Sequence, residues 1–92
     1  MNVYHMKTKG GYPARDQIVI CTDKGRYLKS YDSIVAFIPT EGRRQVGTLY
    51  NYSQTTARYV RDFLGMGIPQ IRSAIAKEEI ELTEIELDEE EV

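Results

Sequence analysis

The sequence has few of the residues on which disulfide scaffolds, metal sites and membrane spans depend. Cys21 and His5 are the single cysteine and the single histidine, so neither an internal disulfide nor a structural zinc site is expected. Tryptophan is absent, and no apolar run approaches the ~20 residues that cross a bilayer. The first residues also lack the long apolar core of a secretion signal. These absences predict a cytoplasmic protein without metal or cofactor.

Residue sets typical of catalysis are missing as well. His5 has no evident acid or nucleophile near it in the sequence, and Cys21 lies in an apolar run where a thiol is inert packing. There is no Gly-rich phosphate loop followed by Lys and Ser or Thr. The sequence therefore predicts that the protein is not an enzyme, and a deep pocket with convergent polar groups would be needed to revive that alternative.

Basic residues are absent from the last part of the chain, which divides the charge into two blocks. Residues 1–77 carry all twelve Lys and Arg residues and five acids, a balance of +7. Residues 78–92 carry nine acids and no base, a balance of −9. Such asymmetry is typical of an interaction tail or of a role related to nucleic acid.

The 92 residues are enough for one domain, in which strands come before helices. Runs rich in β-branched and aromatic residues predict a meander of strands over 17–22, 26–31, 33–38 and 45–50. Residues 1–8 fit an edge strand or an ordered arm. Residues 7–16 are predicted as a loop, because Gly10 and Gly11 loosen it and Pro13 blocks ladder pairing.

Helix signals follow the meander. Ser53 suits an N-cap and Gly65 a C-cap, and the apolar residues between them share one side of a helix. Pro69 suits the first turn of a second helix, and residues 79–82 fit a short closing strand. The predicted fold is α+β, an antiparallel sheet of about four strands packed on one or two helices with an acidic C-terminal segment. We expect a single domain over residues 1–82 and an acidic tail over residues 83–92.

Three blocks of sequence carry a resemblance to a known family. They are residues 30–38 (SYDSIVAFI), residues 52–56 (YSQTT) with Phe63 and Leu64 beyond them, and residues 71–82. The chain resembles, over roughly residues 17–82, a family of short proteins of bacteria, phages and mobile elements in which a strand leads into a Tyr-Ser-x-Thr-Thr helix start. The resemblance implies a mobile-element origin and supplies no catalytic residue.

The helix start has a structural and a functional interpretation. In the structural one, Ser53 caps the helix, Thr56 joins the cap, and Tyr52 covers the first turn as a hydrophobic staple. In the functional one, the free N–H groups and the hydroxyls of Ser53 and Thr55 hold a phosphate or carboxylate. Arg58 and Arg61 would strengthen such a site only for a ligand that spreads along the polar side of the helix.

Basic residues flank a tyrosine in the predicted loop after residue 7. Lys7, Lys9 and Arg15 surround Tyr12, a pattern that suits single-stranded nucleic acid because charges follow the backbone while a ring stacks on a base. Arg43 and Arg44 form a second small basic group. A solvated loop is the plainer alternative.

The acidic segment is open to three interpretations. It is a disordered solubilising end, or it packs on the basic body or a second copy, or its carboxylates imitate a phosphate backbone and occupy a basic groove on another protein. The alternation of Glu79, Glu81, Glu84 and Glu86 with Ile and Leu favours an ordered contact. Seven tyrosines, Tyr12 among them, are typical of interfaces, although strand tyrosines such as Tyr27, Tyr31 and Tyr50 can simply fill exposed positions.

Two functional hypotheses result. The first is a non-enzymatic interaction module of a phage or mobile element, an inhibitor or regulator of a host nucleic-acid-handling protein. It would bind its partner through Tyr12 and the four acidic-segment residues Glu79, Glu81, Glu84 and Glu86. The alternative is a nucleic-acid-binding module that uses the basic residues above, with the acidic tail as a self-competitor. Neither hypothesis requires a membrane or a metal, and both leave a homo-oligomer open.

Overall fold

The computed structural model describes residues 2–87, which form one mixed sheet and two helices. The strands are β1 (Asn2–Lys7), β2 (Pro13–Thr22), β3 (Gly25–Ser30), β4 (Ser33–Pro39), β5 (Arg44–Val46) and β6 (Ile80–Leu82). The helices are α1 (Gln54–Leu64) and α2 (Ile68–Ala76), which connect β5 to β6. The predicted α+β class is confirmed.

The sheet is larger than predicted, and it is mixed. Its six strands lie in chain order, the first five antiparallel to their neighbours and β6 parallel to β5. The expectation of about four antiparallel strands is therefore too small. The additional strands are β1, which pairs along β2, and β6, which the two helices carry back to the far edge. A helical crossover is the usual connection between parallel neighbours.

The loop predicted over residues 7–16 is shorter than expected. The chain turns between Thr8 and Tyr12, and Pro13 is the first residue of β2, where it pairs with Lys7. Pairing with β3 starts only at Gln17. Strand β3 therefore does not extend as far as Pro13, and the N–H group that proline lacks is not required for a hydrogen bond to it. Arg15 therefore lies on a strand and not in a loop.

Local cap chemistry defines both ends of α1. The Ser53 hydroxyl accepts a hydrogen bond of 3.1 Å from the backbone N–H of Thr56, and Gly65 ends the helix in the left-handed conformation. Both predicted caps are confirmed. The expected staple is wrong, because Tyr52 is 78% exposed and most of its ring lies in solvent.

Alternate side chains of strand β3 point to the two faces of the sheet. Leu28 and Ser30 point to the face covered by the helices, where Ser30 contacts Thr56 of α1. Tyr27 points to the opposite face and stacks on Phe37 with ring centroids 4.2 Å apart. We call these the helix face and the opposite face.

The main hydrophobic core lies between the helix face and the two helices. Its buried members, all on strands or helices, are Ala14, Val19, Leu28, Val35, Ala36, Val46, Tyr59, Val60, Phe63, Leu64, Ile71, Ala74 and Ile80. Burial of this much apolar surface is the dominant stabilising contribution in a chain of this size. No helix within residues 2–87 is long and apolar enough to span a membrane.

Candidate protein-interaction surface

The strand directions bring several segments to one end of the sheet. Strands β1, β3, β5 and β6 all run toward this end, because β5 is parallel to β6 and antiparallel to β4. The β1–β2 loop, the β3–β4 turn, the start of α1 and residues 83–87 therefore lie there. We call it the hairpin end.

Three exposed apolar side chains surround a recess at the hairpin end. Tyr31 is 52%, Leu49 43% and Tyr52 78% exposed. The recess between them has a volume of ≈ 260 Å³, and its remaining lining residues are Ser30, Asp32, Ser33, Val35 and Thr56. We call this recess the tyrosine pocket. Exposed aromatic side chains around a concavity are typical of a site where a partner residue is buried.

Backbone geometry holds these side chains in place. Tyr31 has a left-handed φ of 55°, an uncommon conformation for a residue with a side chain, and its N–H group donates to Asp16 O at 2.8 Å. The N–H group of Tyr52 donates to Leu49 O at 3.1 Å, which closes a turn directly before the cap. A non-glycine residue in this region is the kind of local strain that clusters at binding sites.

The floor of the tyrosine pocket is polar. The hydroxyl of Thr56 lies 3.0 Å from that of Ser30 and 3.2 Å from that of Ser53. Gln17 is the β2 neighbour of Ser30; it is buried, and its side-chain oxygen has no hydrogen-bond partner within residues 2–87. A buried hydroxyl cluster of this kind fixes the α1 N-terminus against β3 and makes the floor rigid.

An acidic groove adjoins the tyrosine pocket. It has a volume of ≈ 290 Å³, shares Asp32, Ser33 and Leu49 with the pocket, and is otherwise lined by Ile34, Gly47, Thr48, Glu84, Ile85 and Glu86. The carboxylates of Asp32, Glu84 and Glu86 form no ion pair with any described residue. We call these three residues the acidic rim, and they give the side of the tyrosine pocket that adjoins the groove a negative potential.

The four predicted acidic contact residues divide into two pairs. Glu84 and Glu86 lie in the acidic groove. Glu81 accepts a 2.9 Å hydrogen bond from Gln45 and lies 3.6 Å from Arg43, and Glu79 is exposed in the turn before β6. The alternating pattern favoured an ordered segment, and its first part forms strand β6. The rest of the predicted tail, residues 88–92, lies outside the described residues.

The predicted basic residues occupy different parts of the molecule. Lys7, Lys9 and Arg15 lie around the β1–β2 loop, whereas Arg43 and Arg44 lie at β5, three strands away from β2 and at the other end. At ~4.8 Å per strand, this separation exceeds ~14 Å. The side chains at β5 also serve the fold. Arg43 donates to Glu78 O at 3.0 Å, and Arg44 donates to Leu64 O at 3.2 Å, the last carbonyl of α1.

The candidate anion site at the start of α1 is only partly assembled. Ser53 and Arg61 line one open cleft of ≈ 510 Å³, with Tyr52, Gln54 and Ile68 among its other residues. Arg58 turns elsewhere, since it lies 4.0 Å from Asp62 and over the Tyr59 ring at 5.2 Å. Thr55 is exposed on the first turn and does not line this cleft.

Tyrosines differ in their placement more than the sequence indicated. Tyr12 is 73% exposed at the β1–β2 loop, as an interface residue would be. The interpretation of Tyr27 as an exposed strand residue is wrong, since it is buried on the opposite face. Tyr50 is half-buried against the main core. The pairing of Tyr31 with Tyr52 was missed, and the surplus of tyrosines was the one sequence signal that pointed toward it.

His5 and Cys21, the residues considered for catalysis and metal binding, both lie on strands of the sheet. The Nδ1 atom of His5 lies 2.8 Å from Ala14 O, and Cys21 is half-buried on β2. Within residues 2–87, no group of three or more His, Cys, Asp or Glu residues is placed to hold a metal ion.

Comparison with known proteins gives one match. No curated protein and no solved structure is significantly similar to the chain. A family model matches residues 6–82, a range that contains β2 to β6, both helices and the residues of the tyrosine pocket. The chain therefore belongs to the family of unknown function DUF8033.

Proposed function

We propose that the protein is a non-enzymatic interaction module that binds a segment of a partner protein at the tyrosine pocket. The observation that carries the proposal is the arrangement of Tyr31, Leu49 and Tyr52 around a recess beside three carboxylates, none of which forms an ion pair within residues 2–87. Covering solvated apolar side chains with a partner lowers the free energy of the complex, and buried aromatic anchors contribute most of the binding energy at many interfaces.

The dimensions of the pocket limit what fits. A recess of ≈ 260 Å³ is smaller than the ~300–1,000 Å³ of typical small-molecule sites, so a single large side chain is the better occupant. The acidic rim favours lysine or arginine beside that side chain. The preferred segment therefore has one aromatic or long apolar residue within a few positions of basic residues.

A finer proposal concerns the partner's class. Proteins that handle nucleic acid present basic grooves, and carboxylates spaced along an extended segment can occupy such a groove in place of phosphates. Glu84 and Glu86 lie on a segment outside the helices and strands and line the same groove as Asp32. We therefore propose that the module, of phage or mobile-element origin, inhibits or regulates a nucleic-acid-handling host protein.

Binding of single-stranded nucleic acid at the β1–β2 loop is the second candidate. It is supported by the exposure of Tyr12 between Lys7, Lys9 and Arg15, none of which forms an ion pair with a described residue. This function predicts binding that weakens steeply with salt and tightens when the acidic tail is removed.

A displayed library of random peptides tests the leading proposal. Wild-type protein should enrich peptides with an aromatic or long apolar residue close to Lys or Arg. Tyr52→Ala should weaken the enriched peptides about tenfold or more, because it removes one wall of the pocket. Tyr4→Ala is the matched control, since Tyr4 is an exposed tyrosine on β1 outside the pocket.

The acidic rim is tested with point substitutions and not with a truncation. Deleting residues 78–92 would remove β6 and the buried Ile80, and so would damage the core. Glu84→Gln with Glu86→Gln keeps the backbone and should weaken binding severalfold at low salt, with a smaller effect at high salt. The proposal is wrong if the selected peptides bind equally well to the Tyr52→Ala protein.

A further inference from the structure

We infer that the tyrosine pocket accepts the β1–β2 loop of a second copy of this chain, with Tyr12 as the inserted side chain. The inference rests on the proposed function, because it names one occupant for the same pocket. It follows from a match between two surfaces of the molecule that do not touch each other within one chain, since Tyr12 does not line its own tyrosine pocket.

The β1–β2 loop has the form of a preorganised anchor. The N–H group of Thr8 donates to Tyr12 O at 2.8 Å, and the N–H group of Gly11 donates to Thr8 O at 3.0 Å. The ring of Tyr12 lies close against Gly10, where an added Cβ would stand 3.1 Å from it. The loop is thus closed by hydrogen bonds while the ring remains 73% exposed, so little conformational entropy is lost when it binds.

The charges around the loop complement those around the pocket. Lys7, Lys9 and Arg15 flank Tyr12 along the β1–β2 hairpin and have no ion-pair partner among the described residues. The acidic rim has three carboxylates in the same state. Insertion of Tyr12 would bring the basic residues of the loop next to the acidic rim. Contacts between two loops or between two pockets are disfavoured, because they bring like charges together.

The β1–β2 loop also has the composition that we propose for segments bound by the tyrosine pocket. It has one large aromatic residue with lysines three and five positions before it and an arginine three positions after it. Because loop and pocket lie at the same end of the sheet, two copies related by a twofold axis can exchange their loops reciprocally. The inserted loop comprises only residues 8–12, so a weak, concentration-dependent dimer is expected.

Sedimentation equilibrium of the full chain tests this inference. The wild type should self-associate in a concentration series that extends to about 1 mM protein, the range of weak complexes. Tyr12→Ala should raise the dissociation constant about tenfold or more, and Tyr52→Ala should act similarly. Tyr4→Ala, the matched control, should leave it unchanged. Gly10→Ala gives a second variant of the loop, which displaces the Tyr12 ring without removing it.

A mixing experiment separates direct insertion from an indirect effect. The Tyr12→Ala protein keeps an intact pocket, and the Tyr52→Ala protein keeps an intact loop. An equimolar mixture of the two should therefore associate more tightly than either variant alone, because one complete loop–pocket contact is restored. Lys9→Glu should weaken the dimer, and a mixture of Lys9→Glu with Glu84→Lys protein should associate more tightly than Lys9→Glu protein alone.

Two results would overturn the inference. A wild type that stays monomeric throughout the series contradicts it, and so does a dimer that Tyr12→Ala and Tyr52→Ala leave unchanged. In both cases, peptide binding that still depends on Tyr52 would leave the proposed function standing. A wild type that enriches no peptide but forms a dimer dependent on Tyr12 and Tyr52 would instead refute the proposed binding of a separate partner and leave the loop–pocket contact standing.

Discussion

The two faces of the sheet are built from the same strands but serve different purposes. On the helix face, Val19, Leu28 and Ala36 are completely buried under α1 and α2. On the opposite face, Ile20 and Tyr27 are buried but lie outside the main core, and the Phe37 ring beside them is half-buried. Alternate residues of β3 therefore enter two separate apolar clusters.

This difference shows where stability is concentrated. A fully buried aliphatic side chain contacts both the sheet and a helix, so its removal leaves a cavity that rigid elements cannot fill. A half-buried aromatic side chain leaves space that solvent can enter, so its removal costs less. The helix face should therefore control the free energy of unfolding, and the opposite face should contribute a smaller share.

The largest effect is expected at the centre of the helix face. Leu28→Ala should lower the free energy of unfolding by about 3–4 kcal/mol, because it removes a completely buried side chain and leaves a cavity. Urea denaturation with an unchanged slope would measure the loss. Leu28→Met keeps the volume and should cost much less. A cost for Leu28→Ala below that of Phe37→Ala would reverse the order of the two faces.

A smaller effect is expected at Gly25, on the opposite face of β3. An added Cβ would stand 2.2 Å from Ile38 O and 2.9 Å from the Phe37 ring, and Gly25 has a φ of +145°. Gly25→Ala should therefore lower stability by about 2–3 kcal/mol. Gly42→Ala is the control, since its φ is +101° but no atom lies within 4 Å of the added Cβ. Equal losses for the two variants would show that contact with β4 is irrelevant.

The smallest of the three effects is expected at the aromatic pair. Phe37→Ala should lower the free energy of unfolding by about 1–2 kcal/mol. Phe37 is only half-buried, and its stacking on Tyr27 contributes less free energy than the burial of a complete core side chain. The chain has no tryptophan, so near-UV circular dichroism reports tyrosines and should change strongly in this variant. A spectrum identical to that of the wild type would contradict the stacked arrangement.

Features that depend on neighbouring residues were predictable from the sequence. Ser53 and Gly65 mark the ends of α1 because cap chemistry involves residues only a few positions away. The first three strands of the meander were predictable for the same reason, since each pairs with the next, whereas the strand predicted over residues 45–50 ends at Val46. The strand position of Pro13 was not predictable, because a proline is tolerated there only where β3 has already ended, and the local sequence does not reveal that end.

Features that depend on distant contacts were not predictable. Residues 79–82 were expected to form a strand, but their parallel pairing with β5 depends on how α1 and α2 cross the sheet. The sequence places Arg44 in a small basic group with Arg43, whereas in the fold it donates to the carbonyl of Leu64, twenty residues later. The tyrosine pocket combines three separate segments, and no periodicity in the sequence links Tyr31 to Tyr52.

The position of β6 has a consequence for native-state fluctuations. Strands β2 to β5 each follow their sheet neighbour after a short loop, whereas β6 is held by β5 across a connection of more than thirty residues. A transient opening could release β6 together with residues 83–87 and leave the antiparallel ladder intact. Amide hydrogens of residues 80–83 would then exchange with deuterium sooner than those of β3, and the same opening would carry Glu84 and Glu86 away from the groove that they line.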